Sequence, residues 1–505
     1  MDRDRIQELS HKVDEAHGLS RVQKQHKAGK MTAWERIELL MDRDSFVETN
    51  MLLEHRCNYF GLEKKKIEGD GVITGYGKVE GRVVCVYAQD FTVLGGSISE
   101  MNARKVADIQ EKAMHMEVPI VGLFDSGGAR VQEGIQALSG HGVIFKNNVK
   151  ASGRIPQISA IMGTCAGGAS YSPALTDFLI MVDKTSSMFI TGPKVVKEAI
   201  GEEVTLAELG GANVHARISG MADKVVADDQ ECIEFIKTLL RFLPDNYKRH
   251  PQRVLFNYNK YREKDVRTVL PESNRRVFDV RDLISLIVDR DSGCEIKTDF
   301  ARNIVTMFAR IGGFPIGIVA NQSLYKAGCL DIDASDKASR FIRICDSFNI
   351  PLLNLIDVPG FLPGKEQEQR GIIRHGAKML YAYGEAECLK ITVILRKGYG
   401  GAYLAMCSKE LGADIVFAWP ESEMAVMGSK AAIEVLYKKA TGDEKERLIR
   451  EYEQQFLNPY EAAHMGYVDE VIEPNSTREH IRRVLDNYYI LRPAGRGYPH
   501  GNSPV

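Results

Sequence analysis

The sequence lacks the features that mark several large classes of protein. Its nine cysteines are scattered singly through 505 residues, without a CxxC pair, so we expect no zinc ribbon and a reducing compartment. No apolar run reaches the roughly 18 residues that a membrane-spanning helix needs. Lysine plus arginine (66) and aspartate plus glutamate (68) nearly balance, which argues against nucleic acid as the main partner.

The N-terminal string MDRDRIQELSHKVDEAHG carries charges of both signs and no apolar segment. It therefore resembles neither a secretory signal nor an acid-poor transit peptide. We expect a cytoplasmic protein, or one of an organelle matrix if a transit peptide has been removed.

Several catalytic motifs are also missing from the sequence. It has no GxxxxGK[ST] phosphate loop, no GxSxG elbow, no HExxH pair and no cysteine cluster, so we expect no metal site. Ser126 and Ser170 lie in glycine-rich turns, but neither has a base at a recognisable spacing, and a turn or capping role is favoured for both. Backbone electrostatics is the mechanism that the sequence favours.

The chain contains two copies of one pattern. Matching residues keep a constant separation of 232 positions (357 − 125) over a long stretch. The pairs include Gly81 and Gly313, Lys105 and Lys337, Pro119 and Pro351, and Asp125 and Asp357. The repeat is too long for a solenoid, whose units run about 20–50 residues, so it indicates duplication of a whole domain.

Within each copy, apolar strands alternate with segments of helical length, which predicts α/β units around buried strands. Residues 1 to about 40 are predicted to be helical and to pack on the first domain. Residues 238–275 lose periodicity and are predicted to be the linker. The last helix is predicted at 477–491, followed by a tail rich in glycine and proline without a core of its own.

One glycine pair occupies the same place in both copies. Gly167 and Gly168, followed by Ala169, come directly after a buried strand, and so do Gly400 and Gly401, followed by Ala402. Small residues at such a turn expose backbone N–H groups, which can bind an oxygen as negative charge develops on it. Singly such glycines are usually structural, but the repetition predicts two oxyanion holes.

Long ordered strings resemble the carboxyltransferase subunit of biotin-dependent acyl-CoA carboxylases, of the propionyl-CoA carboxylase beta type. The chain resembles equally the alpha subunit of methylmalonyl-CoA decarboxylase and the acyl-CoA subunit of transcarboxylase. The matching strings cover nearly the whole chain and include GDGVITGYG, FDSGGARVQEG, CAGGASYSPALTDF, MFITGPKVVK, LDIDASDKASRFIRICDSFNIPL, DVPGFLPG, RKGYGGAYLAM and AWPESEMAVMG.

The resemblance implies two tandem crotonase-like α/β domains, at 1–265 for acyl-CoA and 266–505 for biotin. It implies carboxyl transfer between N1 of biotin and the α-carbon of propionyl-CoA, giving methylmalonyl-CoA. The implied oxyanion-hole residues are Gly167, Gly168, Gly401 and Ala402. The implied substrate-binding residues are Ser126, Gly127, Gly128, Ala129, Arg130, Ala166, Ala169, Gly400, Tyr403 and Leu404.

No AMKM biotinyl-lysine motif is present, so biotin is expected on a separate chain, either a biotin carboxylase/carrier subunit or a separate carrier protein. A homohexamer is the family expectation. Leu404 stands where carboxylases often carry aspartate. It leaves open the alternative of a decarboxylase alpha subunit with a membrane partner, or a transcarboxylase, running the half-reaction in reverse. A degenerate crotonase-like binding protein and a hydratase or isomerase are weaker alternatives.

Overall fold

The chain forms two compact units that divide between Arg249 and His250, ahead of residue 265. The last residues, Gly497–Pro504, belong to the N-terminal unit. The structure, a computed structural model, describes residues 18–255, 265–271, 273–274, 276–491 and 497–504. The first part of the predicted N-terminal helix, residues 1–17, lies outside these ranges.

The N-terminal unit contains an eight-stranded sheet in the order β1-β2-β3-β4-β5-β6-β8, with β7 paired to β5. The strands are β1 Val47–Thr49, β2 Val72–Val79, β3 Arg82–Gln89, β4 Ile120–Ser126, β5 Gln157–Ala166, β6 Phe178–Val182, β7 Ser187–Phe189 and β8 Lys224–Val226. From β3 onward every pairing is parallel. The central strands are buried almost throughout, as their unbroken apolar runs predict.

Helices connect these strands and cover the sheet. They are α1 Leu19–Lys27, α2 Ala33–Leu40, α3 Glu100–Met116, α4 Ile135–Ala151, α5 Tyr171–Ala174, α6 Pro193–Ile200, α7 Leu206–Gly210, α8 Ala212–Arg217 and α9 Asp229–Phe242. Helix α3 packs on β2, β3 and α4, while α9 packs on β5, β6 and α2. The predicted packing of the N-terminal helical segment on the first domain is thereby seen for α2.

The C-terminal unit repeats this arrangement. Its eight-stranded sheet has the order β16-β14-β13-β12-β11-β10-β9, with β15 paired to β13. The strands are β9 Cys294–Ile296, β10 Ile304–Ile311, β11 Phe314–Asn321, β12 Leu352–Val358, β13 Lys390–Tyr399, β14 Ile415–Ala418, β15 Glu423–Ala425 and β16 Glu470–Val471. The helices are α10 Val280–Ile287, α11 Ile332–Ser347, α12 Lys365–Arg370, α13 Ile372–Glu385, α14 Gly400–Ala405, α15 Ser429–Leu436, α16 Gly442–Phe456, α17 Pro459–His464 and α18 Thr477–Leu491.

The predicted duplication is confirmed strand by strand. The register between β4 and β5 shifts between Phe124 and Ser126, and the register between β12 and β13 shifts between Ile356 and Val358. In each unit the residue at the shift is an aspartate, Asp125 or Asp357. A register shift at the same position of both sheets is typical of a duplicated domain.

The predicted linker starts too early. Residues 238–242 are the last turn of α9, which ends at Phe242. Asp228 caps the start of this helix by accepting a hydrogen bond from the Glu231 amide, and its buried apolar face continues to the end. Leu239, Leu240 and Phe242 are buried while Arg241 is exposed, so the amphipathic pattern of the helix extends past the predicted start of the linker.

Candidate functional site

The turn after β5 holds the first glycine pair and begins with a left-handed residue. Gly167 has φ of 60°, a left-handed value that glycine adopts without a steric penalty. Residues Gly167–Ser170 form one short 3-10 turn that leads into α5, and Ser170 Oγ donates to the Gly167 carbonyl at 2.6 Å. Gly167 and Gly168 are half-buried and Ala169 is buried.

The turn after β13 reproduces this backbone. Gly400 has φ of 59° and begins the short helix α14, in which Gly401 is exposed and Ala402 is fully buried. In both units the turn lies near the residue that follows a short strand, β7 or β15. A Cβ on Gly167 would be 3.7 Å from the Ile190 carbonyl oxygen. A Cβ on Gly400 would be 3.1 Å from the Val426 carbonyl oxygen.

Both turns offer N–H groups at the start of a helical segment, where no intrahelical acceptor exists for them. Helices α5 and α14 have four and six residues, so the summed helix dipole is small. The local amides, and not a helix dipole, are therefore the groups in these turns that could bind an oxygen as negative charge develops on it.

The DSGGAR segment lies directly beside the first turn. A Cβ on Gly128 would be 2.7 Å from the Ala166 carbonyl oxygen, so the two glycine-rich segments are in contact. Gly127 is exposed and Ala129 half-buried. Ser126 is fully buried and its Oγ donates to the Gly96 carbonyl at 2.7 Å, which fits the turn role that the sequence favoured for this serine.

Arg130 holds this segment in place through a buried network. Its side chain is 1% exposed and pairs with Asp70 at 2.5 Å. Its Nε donates to Ser97 Oγ at 3.1 Å, and Glu133 lies 3.5 Å away. The guanidinium is thus occupied by the protein, and a contact between Arg130 and substrate stays a prediction.

His141 of α4 was missed by the sequence reasoning, although it lies against the first turn. A Cβ on Gly168 would be 2.9 Å from His141 Cδ2. Nδ1 lies 2.8 Å from the Ala137 carbonyl oxygen, which assigns the proton to Nδ1. Burial lowers the pKa of His141, so the ring is neutral at pH 7. A histidine inside a regular helix carries no motif that could have revealed this position.

The second turn has an aromatic neighbour instead. The Phe361 ring would lie 3.0 Å from a Cβ on Gly376 and 3.9 Å from one on Gly401. Tyr403 is half-buried and packs over Gly398, and Leu404 is 43% exposed. Gly401 therefore has open space above it, whereas Gly168 does not.

Tyr399, the residue before the second turn, also went unnoticed in the sequence. Its hydroxyl donates to the Glu423 carboxylate, and burial followed by this hydrogen bond raises the tyrosine pKa. The corresponding residue of the first turn is Ala166, so only the second unit carries such a pair.

Each aspartate at a register shift is anchored beneath the glycine-rich segments. Asp125 accepts hydrogen bonds from Gln25 Nε2 at 2.9 Å and from Lys30 Nζ at 2.8 Å. Asp357 is paired with Arg396 at 2.5 Å. Burial also raises the pKa of the nearby Cys165 thiol, so this cysteine is not an activated nucleophile.

Within the described ranges, no cluster of three or more His, Cys, Asp or Glu side chains could bind a metal. Among these residues, no helix is both long enough and apolar enough to cross a bilayer.

Comparison with known proteins gives long matches. A model of the carboxyl transferase domain matches residues 24–489. The chain is 52% identical to methylmalonyl-CoA decarboxylase subunit alpha of Veillonella parvula, over 98% of this chain and 97% of that one. It is 49% identical to the propionyl-CoA carboxylase beta chain of Cereibacter sphaeroides over the full length of both. A crystal structure of transcarboxylase 12S, described as a hexamer with methylmalonyl-coenzyme A bound, superposes with a TM-score of 0.95 at 49% identity, covering 100% and 99% of the two chains.

Proposed function

This chain belongs to the carboxyl transferase family, and we propose that it moves a carboxyl group between N1 of biotin and the α-carbon of propionyl-CoA, with methylmalonyl-CoA as the carboxylated partner. The observation that carries the proposal is the pair of matching glycine turns, one in each unit, with φ of 60° at Gly167 and 59° at Gly400. The two relatives described above are named for reactions on this acyl-CoA pair, one as a methylmalonyl-CoA decarboxylase subunit and the other as a propionyl-CoA carboxylase chain.

In the N-terminal unit we assign the thioester oxygen of the acyl-CoA to the amides of Gly167 and Gly168. An N–H group that binds this oxygen more tightly as the thioester becomes an enolate lowers the barrier to a carbanion at the α-carbon. The contact of Gly128 with Ala166 supports assigning Ser126, Gly127, Gly128, Ala129 and Arg130, with Ala166 and Ala169, to the walls of this site.

In the C-terminal unit we assign the ureido oxygen of biotin to the amides of Gly401 and Ala402, beside Gly400, Tyr403 and Leu404. The turn fits such a group, because Gly401 is exposed and a Cβ there would meet only Phe361, at 3.9 Å. Bound biotin would supply the carboxyl group or accept it. The amides would stabilise negative charge on the ureido oxygen, and Phe361 would provide an apolar floor.

We further propose that biotin comes on a separate chain, a biotin carboxylase/carrier subunit or a carrier protein. The supporting observation is that no biotinyl-lysine motif occurs in the sequence. The most similar string is Ala377-Lys378-Met379. Its lysine, Lys378, lies within α13 and pairs with Asp336 at 3.0 Å. A homohexamer without a metal in this subunit, acting in the cytoplasm or an organelle matrix, completes the proposal.

Leu404 favours a second candidate, in which the same half-reaction runs from methylmalonyl-CoA to biotin. Its side chain is 43% exposed on α14, three residues after Gly401, where it would present an apolar surface instead of a carboxylate. A decarboxylase alpha subunit with a membrane partner, or a transcarboxylase, would use this direction.

The test is carboxyl release from methylmalonyl-CoA by the purified protein, with and without free biotin or biocytin, against malonyl-CoA and glutaconyl-CoA. We expect biotin-dependent turnover that favours methylmalonyl-CoA. Gly401→Val provides the matched inactive protein. A folded wild-type chain without biotin-dependent turnover on any of the three would refute the proposal. Co-purification with an ATP-dependent biotin carboxylase or with a membrane subunit separates the two directions.

A further inference from the structure

The last residues of the chain are bound tightly by the N-terminal unit, although the sequence predicted a tail without a core. Asn502 is 4% exposed. Its backbone N–H donates to Ser152 Oγ at 2.7 Å, and Tyr498 OH donates to the Ser152 carbonyl at 3.0 Å. The Tyr498 ring packs edge-on against Tyr247 with centroids 5.9 Å apart. Ser152 caps the C-terminal end of α4, so the tail is fixed where that helix ends.

From Asn502 a series of buried hydrogen bonds, passing through Gln157, leads to Ser172 in α5, next to the first glycine turn. Asn502 Nδ2 donates to Asp177 Oδ1 at 2.8 Å, and the other oxygen, Oδ2, accepts from the Gln157 amide at 2.9 Å. The Gln157 side chain accepts from Asn148 Nδ2 at 3.0 Å. Asn148 Oδ1 accepts from Ser172 Oγ at 2.9 Å.

Ser172 lies in α5, two residues after the Gly167–Ser170 turn. A helix of four residues has little stability of its own, so its position depends on what holds it. The hydrogen bond from Ser172 to Asn148 ties it to α4, and Asp177 follows it at the start of β6.

We propose that Asn502 is a positioning residue for the acyl-CoA side of the site, acting through Asp177, Gln157 and Asn148 on α5 and the Gly167–Ser170 turn. The kinetic part of this inference rests on the proposed function. A displacement of about 1 Å in an oxyanion-hole amide is enough to slow a reaction strongly, even when the changed residue lies far from the chemistry.

The hydrogen bond between Asn502 and Asp177 offers a reciprocal exchange. Asn502→Asp places two carboxylates against each other in a buried place and is expected to reduce kcat about tenfold, with a smaller change in KM for methylmalonyl-CoA. Adding Asp177→Asn restores one amide and one carboxylate, and the new amide oxygen can still accept from Gln157. We expect the double variant to recover kcat to within about threefold of wild type.

A pH profile provides a second readout that a general loss of folded protein would not produce. Because a like charge raises a carboxyl pKa, one of the two acids in Asn502→Asp takes up a proton as the pH falls, and the deficit in kcat relative to wild type should shrink. Pro504→Ala, an exposed position in the same tail, is the matched control and should leave kcat unchanged.

Amide hydrogen exchange of residues 167–174 tests the inference without any activity. We expect faster exchange there in Asn502→Asp and in Asn502→Ala, and wild-type exchange in Pro504→Ala and in the double variant. Unchanged exchange and kcat in both single variants, or a double variant as slow as Asn502→Asp, would overturn the inference. Absence of transfer in the wild type would refute the proposed function instead, and exchange would still decide the role of Asn502.

Discussion

The turns after β5 and β13 share one backbone but have different surroundings. Gly168 is closely packed, with His141 Cδ2 2.9 Å from the position a Cβ would take, whereas the same position on Gly401 has only Phe361 at 3.9 Å. The amide arrangement has therefore persisted through the duplication, while the side chains around it have diverged. The shared feature is thus the backbone of the turn, and the proposed difference in ligand between the two turns depends on the side chains around it.

The same contrast holds for the aspartates beneath the turns. Asp125 is held by three side chains from the N-terminal segment, since Arg36 Nη1 also lies 3.5 Å away. Asp357 depends on Arg396 of the neighbouring strand, whose guanidinium also covers the Phe278 ring at 4.6 Å. Asp125 therefore shares its charge among several side chains, whereas Asp357 has one cationic partner in the described part of the chain, Arg396.

The largest effect on carboxyl transfer is expected from a bulky side chain in either glycine turn. Gly168→Val and Gly401→Val should each reduce biotin-dependent transfer by about 10²–10³-fold, the range for loss of an oxyanion-hole donor. Only Gly168→Val should also lower the urea midpoint, because its side chain collides with His141. Transfer rates and urea denaturation of the purified variants measure both. A Gly401→Val protein with nearly full activity would remove the second turn from the mechanism.

Next in size is the cost of removing an anchor. Arg396→Met leaves Asp357 buried without its cation and should lower the free energy of unfolding by about 3–5 kcal/mol. Lys30→Met leaves Asp125 with Gln25 and Arg36 and should cost about 1.5–3 kcal/mol. Urea denaturation compares the two variants with wild type. Equal losses would show that the two anchors do not differ in the way the contacts indicate.

The duplicated buried lysines should make stability depend on pH to different degrees. Burial lowers the pKa of Lys337 to about 7 and that of Lys105 to about 8. Between each value and the unfolded value near 10.5 the unfolded state binds more protons, so the free energy of unfolding rises with pH, at most by about 1.4 kcal/mol per pH unit for each group.

Removing each charge should therefore flatten this rise. In Lys337→Met the free energy of unfolding should rise less steeply with pH than in wild type from about pH 7 upward. In Lys105→Met the same difference from wild type should begin only at about pH 8. Both variants also lose hydrogen bonds to buried carbonyls, so the comparison uses slopes and not absolute stabilities. Urea denaturation from pH 6 to 9 provides the slopes, and identical curves for wild type and Lys337→Met would contradict the expectation.

The smallest effect is expected on substrate choice. Leu404→Asp replaces an exposed apolar side chain beside the second turn by a charge. It should lower kcat/KM for methylmalonyl-CoA relative to malonyl-CoA by about threefold to tenfold. Leu404→Met keeps the apolar volume and serves as the control. If both variants retain the wild-type ratio, Leu404 does not influence the choice of acyl-CoA.

Much of this architecture was predictable from particular residues. The strand IVGLF became β4 and ITVILRK became the centre of β13, because long apolar runs bounded by glycine or proline leave few alternatives to a buried strand. The helix predicted at 477–491 is α18. The end of α9 was misplaced, and His141 and Asn502 were not identified, because neither lies in a motif and each acquires its role only through distant contacts.

The duplication, the two glycine turns and the family can be read from the sequence, since they depend on local residue types and on their spacing. The enclosure of Arg130 by Asp70 and Ser97, the close packing of His141 on Gly168 and the position of Asn502 beside Asp177 are visible only in the folded chain. These contacts could not be predicted because burial and hydrogen-bond pairing arise between segments up to hundreds of residues apart. A local pattern can specify a turn, but the neighbours of that turn are set by the packing of the whole unit.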